Sequence, residues 1–183
     1  EMSFRPYEGG EIFAKFGFAA NNGLNVKSAF VLATWAADLE DDVEDINGRN
    51  RDYLLTAWAS HTFEFSESHT LGLTGGIIDA TDYVDENAFA NDEYTQFQNE
   101  VFVNSVNANL VSYDIGGVVD WAYGNFSAKG IIMDVGTGSE NETDNNYQYY
   151  AAQLAYRLET GLGEGNYRVT GSLTSDDFED AEG

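Results

Sequence analysis

The stretch YDIGGVVDWAYGNFSAKGIIMDV, residues 113–135, decides the fold class. Ile115, Val119, Trp121 and Tyr123 fall on one side of a period-two alternation. Asp114, Gly116 and Asp120 fall on the other. This is the pattern of a strand with two unlike faces. Gly124–Asn125 interrupts it with the residue types that a two-residue hairpin loop favours, and a second run, Phe126–Val135, follows at once. A loop that short sets the register. Tyr123 pairs with Phe126, Trp121 with Ala128, and Asp120 with Lys129. The last pair places opposite charges directly across from one another, worth about 0.2–1 kcal/mol, so charge and turn chemistry agree.

The same alternation recurs along the chain. Seven strands are predicted: Glu11–Ala19, Asp52–Phe65, Thr70–Ile78, Tyr113–Tyr123, Phe126–Val135, Tyr147–Leu158 and Asn166–Thr174. No eighth is evident. Val26–Trp35 is apolar without alternation and reads as loop or part-strand. Three connections are short: Ser66–His69, Gly124–Asn125 and Thr160–Gly165. The intervening ones, Asn21–Arg51, Asp79–Ser112 and Gly136–Asn146, are long and polar. Short turns at one end and long loops at the other is the habit of outer-membrane barrels. Of the 32 acidic residues, 21 fall in 38–52, 79–93, 140–144 and 176–182, so the charge belongs to that long-loop end.

Composition excludes several classes. A net charge of -24 argues against nucleic acid as a partner, since phosphate contacts need Lys and Arg. Twelve Phe, eleven Tyr and three Trp argue against disorder. With no cysteine there is no disulfide and no thiolate chemistry. No apolar run reaches the roughly 18 residues of a transmembrane helix, but barrel strands need only about 9–11 alternating residues. No signal peptide is visible at Glu1, as fits numbering after cleavage or a fragment.

The polar faces carry the candidate contacts. Keeping the apolar stripes together across Thr160–Gly165 pairs Leu158 with Tyr167, and Arg157 with Arg168. Two opposed arginines need water and carboxylates such as Glu159 nearby. That is natural for a wet channel wall. Tyr123, Phe126, Tyr156, Leu158 and Tyr167 all fall on the apolar side next to short turns. They read as the aromatic girdle of a membrane interface, in preference to ordinary strand aromatics of a soluble core.

Other motifs are weak. The acidic run 38–48 fails as a calcium loop because Val43 occupies the first ligand position. A solvated acidic loop is the simpler reading, with loose divalent-cation binding as its rival. Gly161, Gly163 and Gly165 lack nucleotide-loop spacing and follow a strand. His61 and His69, one in an apolar stripe and one in a turn, do not make a metal pair or a catalytic base. Asn125 and Asn141 match a glycosylation pattern that recurs by chance. No Ser-His-Asp set falls at sensible positions, so neither an enzyme nor a cofactor is expected.

Three segments, 38–55 (DLEDDVEDINGRNRDYLL), 71–97 (LGLTGGIIDATDYVDENAFANDEYTQF) and 156–168 (YRLETGLGEGNYR), resemble the carbohydrate-selective porin family (OprB-like). The resemblance implies a large antiparallel transmembrane β-barrel of about 16–18 strands around an aqueous pore, often selective for sugars. Residues 1–183 would then be a single domain, the front part of that barrel. The chain departs from the family where it stops at Gly183, in an acidic loop and without the remaining strands. The resemblance also implies that Asp79–Ser112 folds into the lumen as a constriction loop carrying Asp92, Glu93 and Gln96, in preference to an external loop that only shields the rim. Glu93–Phe102 would be a short helix capped by Asn91 or Asp92.

The expected function is passive diffusion of small sugars across a bacterial outer membrane, with lipid outside and the protein as monomer or trimer. Arg157, Arg168, Asp120, Lys129, Glu64 and Thr170 are the expected pore-lining polar residues, and Trp58 the inward aromatic platform. A general or cation-favouring porin is one alternative. A soluble secreted β-sandwich that binds carbohydrate is another.

Overall fold

The computed structural model describes residues 1–18, 52–86, 110–135, 147–161 and 163–175. The fold is all-β. Eight strands, β1 (Met2–Phe4), β2 (Gly10–Phe18), β3 (Asp52–Ser66), β4 (His69–Ile78), β5 (Asp114–Tyr123), β6 (Phe126–Val135), β7 (Tyr147–Thr160) and β8 (Gly163–Thr174), form one sheet. Each pairs antiparallel with the next in chain order. The sheet is open: β1 and β8 end it, and no pairing joins them among the described residues.

The expected seven strands are therefore eight. The missed one, β1, is three residues long and pairs Met2 with Ala14 and Phe4 with Ile12. Three residues complete only one cycle of alternation, so periodicity cannot announce them.

The register of β5 and β6 is the expected one, with Tyr123 opposite Phe126 and Asp120 opposite Lys129. Gly124 turns with φ +58°, the left-handed conformation such a loop requires. Between β7 and β8 the register differs from expectation. Tyr156, not Leu158, stands opposite Tyr167. Ala155, not Arg157, stands opposite Arg168, and Arg157 faces Asn166. Both strands run on to Thr160 and Gly163, so the turn tightens and the pairing slides by two. A slide of two preserves which face each side chain takes, so the stripes do not detect it.

The two faces are unlike. On one, Ile132, Leu154, Val169 and Leu173 stand exposed, the last two at 74% and 75%. Gly117, Gly130, Ala152 and Gly171 floor an apolar groove of about 740 Å³ on the same side. Along the short-turn end of this face runs one register row: His69, Tyr123, Phe126, Tyr156 and Tyr167. Phe126 and Tyr156 rings lie 4.7 Å apart and His69 meets Tyr123 edge-on at 5.2 Å. Leu158, expected level with them, sits one row beyond, opposite Gly165.

The opposite face is covered in part. After β4 the chain turns through a short 3₁₀ helix, Ala80–Asp82, and lies across the sheet as a strap, residues 79–86. Ile78, Ala80, Val84 and Val111 pack there on Val118, Ile131, Met133, Tyr149 and Ala151. This small core lies toward the long-loop end of the face. Burying such side chains stabilises by about 1.5–3 kcal/mol each, which holds the strap down.

Candidate functional site

Beyond that core the covered face turns polar. One register row crosses four strands: Asp120 on β5, Lys129 on β6, Gln153 on β7 and Thr170 on β8. Alternation puts all four on the same side, and the Gly124–Asn125 turn brings the first two into line. Lys129 Nζ lies 3.6 Å from Asp120 Oδ2. Its closer partner comes from the strap: Glu86 Oε1, at 2.8 Å. Gln153 Nε2 donates to the other Glu86 oxygen at 3.2 Å. Gln153 Oε1 accepts from the Asp85 amide at 3.0 Å and from Thr170 Oγ1 at 3.1 Å. Gln153 is only 3% exposed, and this use of both ends of its amide satisfies it.

The strap is anchored at its start as well. Buried Asp79 accepts from the Thr81 amide, from Thr81 Oγ1 and from Ser112 Oγ at 2.9, 2.6 and 3.1 Å. The Ala80 amide donates to the Val111 carbonyl, tying both limbs of the long connection together. At the other end Asp85 takes φ +58°, a left-handed turn that Asp tolerates better than most residues, and the next residue, Glu86, reaches Lys129. Asp82 keeps part of its surface open to water. Yet burial among protein atoms, with Asp79 adding, pushes its carboxyl up to about 6, while Lys15 pulls the other way. Burial, with Asp82 adding, pushes the Tyr83 hydroxyl up to about 12.

The expected contacts are only partly brought together. Asp120, Lys129 and Thr170 share the row. Arg157 and Arg168 lie on the same face toward the short turn, as diagonal neighbours instead of an opposed pair. Arg157 Nε meets Glu159 at 3.6 Å. Glu64 stands on β3, opposite Thr70, five strands from Arg168, or roughly 24 Å at about 4.8 Å per strand. Trp58 is on the covered face but half-buried, stacked on Phe13 at 5.0 Å and packed against the core. Asp92, Glu93 and Gln96, and the helix expected over 93–102, lie outside the described residues.

Glu86 and Gln153 are the participants that sequence reading passed over. Gln153 is legible as a polar-face residue, though not as the hub of the network. Glu86 stands 43 residues from Lys129 in an acidic run, with no spacing to single it out. The arrangement supplies hydrogen-bond donors and acceptors along a wall. Among the described residues no cluster of three or more His, Asp or Glu is placed to hold a metal ion.

No family model matches this chain. No solved structure matches it either. A protein of Aquifex aeolicus (strain VF5), described as an uncharacterized protein, is 34% identical over 128 residues. The match covers 63% of this chain and 39% of that protein, so the chain spans about two fifths of its relative's length.

Proposed function

We propose that this chain is part of a bacterial outer-membrane porin, and that the covered face of β5–β8 is the wall of a pore for small hydrophilic solutes, carbohydrates foremost. The observation that carries this reading is the second, uncovered apolar face of the sheet. Its bare face holds Leu73, Ile115, Val119, Ile132, Leu154, Val169 and Leu173, all exposed, while the opposite face carries a small strap-covered core and, beside it, the ionic row. A soluble sheet covers its apolar face and wets its polar one. A contiguous apolar surface beyond a few hundred Å² calls for lipid or a partner. Lipid suits this one, because the aromatic row from His69 to Tyr167 edges it at the height of the short turns. No helix of the described residues is long and apolar enough to cross a membrane, so the strands would do so.

Sugars are the favoured solutes because Arg157, Arg168, Asp120 and Thr170 offer hydrogen-bond donors and acceptors of both signs along one face. The strap over the wall supports a narrowed passage. A cation-favouring porin is the second reading, supported by two carboxylates, Asp120 and Glu86, around the single ammonium of Lys129.

Liposome swelling with the reconstituted protein tests the proposal. Faster swelling in glucose and disaccharides than in amino acids of similar size is the expected result. Equal rates would move the assignment to a general porin. No swelling, with the protein soluble in plain buffer, would return the sheet to a soluble carbohydrate-binding sandwich.

A further inference from the structure

Lys129 is poorly placed to meet a solute. Its side chain is 16% exposed, its ammonium hydrogen-bonds Glu86 at 2.8 Å, and Asp120 stands by at 3.6 Å. The second oxygen of Glu86 is held by Gln153, whose own carbonyl oxygen holds the Asp85 amide. Asp85 and Glu86 of the strap are thus tied to adjacent strands, β6 and β7, through one ionic contact and two hydrogen bonds. We propose that Glu86 and Lys129 form a charge latch that pins the strap to the wall and sets the charge a solute meets there.

The latch follows from the bonding alone. A charge-assisted hydrogen bond is about twice as strong as a neutral one. Here it joins the segment 79–86 to β6. Selectivity follows from the charges. Two carboxylates around one ammonium leave the cluster at a net of minus one, and both carboxylates keep part of their surface open to solvent. Anions are repelled and neutral solutes pass. Lys129 therefore acts as a positioning residue for the strap, and Glu86 as the residue that determines charge preference. The selectivity half of this inference rests on the pore reading above, and the latch half does not.

The test is Glu86→Gln, which keeps the shape and removes the charge, compared with wild type and with Glu67→Gln in the exposed β3–β4 turn. Lys15, Lys27 and Lys129 are the lysines of the chain, so labelling by a water-soluble amine reagent is resolved site by site with mass spectrometry. In Glu86→Gln the labelling of Lys129 should rise severalfold, and the Asp85 amide should exchange roughly tenfold faster. In planar bilayers the reversal potential in a salt gradient should shift toward anions. Labelling and exchange that match the Glu67→Gln control would overturn the latch, whatever the currents do. Faster labelling and exchange with an unmoved reversal potential would keep the latch and overturn its role in selectivity. Faster labelling in a protein that conducts in no form would keep the latch and overturn the pore.

Discussion

Gly76 of β4 lies so close to Trp58 of β3 that a Cβ on the glycine would fall 2.7 Å from the Trp58 Cα. Gly76 also takes φ +145°, which side chains rarely adopt. The approach seats Trp58 against Phe13 and the strap-covered core at once. Gly76→Ala should therefore cost roughly 2–3 kcal/mol, the sum of backbone strain and the displaced strand. Urea unfolding of the folded chain in detergent micelles, followed by tryptophan fluorescence, would show a lower midpoint. An unchanged midpoint would mean that β3 and β4 can part there without loss.

The bare face makes a depth-dependent prediction. Ile132 lies on it well away from the turns, in register with Tyr150 and Leu173, whereas Tyr167 lies in the aromatic row. If lipid covers this face, Ile132→Arg should destabilise the inserted protein by about 2–4 kcal/mol and Tyr167→Arg by about 0–1. Reversible folding into lipid vesicles measures both. Equal, small effects, with improved solubility in buffer, would speak for a face that meets water.

Asp82 gives the strap a dependence on pH. Its carboxyl is raised from 3.8 to about 6 in the folded chain, so the folded state holds the proton more tightly than the unfolded one. The attachment is weakest where Asp82 is charged, above about pH 6. It strengthens as pH falls from about 6 toward 4, and gains nothing further once both states are protonated. The Tyr83 and Val84 amides both donate to the Ala80 carbonyl at 3.1 Å, and they report on this turn. Corrected for intrinsic rates, their exchange should slow across that window in the wild type and stay flat in Asp82→Asn. A slope that persists in the variant would assign the titration elsewhere.

The register of β7 and β8 separates the two arginines. Because Arg157 and Arg168 are diagonal neighbours, each can bind a sugar hydroxyl without the other. Replacing either with Ala should weaken sugar block of the ion current about fivefold, the equivalent of about 1 kcal/mol, and replacing both should multiply the effects. Block that is unmoved by the double replacement would remove both from the solute path.

Local chemistry made parts of this molecule legible. The register of β5 and β6 could be read because a two-residue Gly-Asn loop admits one pairing, and Asp120 opposite Lys129 agrees with it. The turn between β7 and β8 could not. Gly161, Gly163 and Gly165 permit a turn at several places, and a slide of two leaves every face unchanged. The site was legible as a set of polar-face residues, Asp120, Lys129 and Thr170 among them, without its hub. Gln153 and Asp85 are 68 residues apart, and no period connects them.

Sequence alone determined what is short-range: strands with two unlike faces, tight turns at one end, and aromatics beside the turns. These follow from the two-residue period of a pleated strand and from the φ values that Gly and Asn allow. Only the tertiary structure decided that Glu86 meets Lys129. Lys129 finds Glu86 because a strap returns across the sheet, and the strap returns because Ala80, Val84 and Val111 have an apolar patch to bury against. Burial of that kind is non-directional and acts over any chain separation, so its outcome is written in no local pattern.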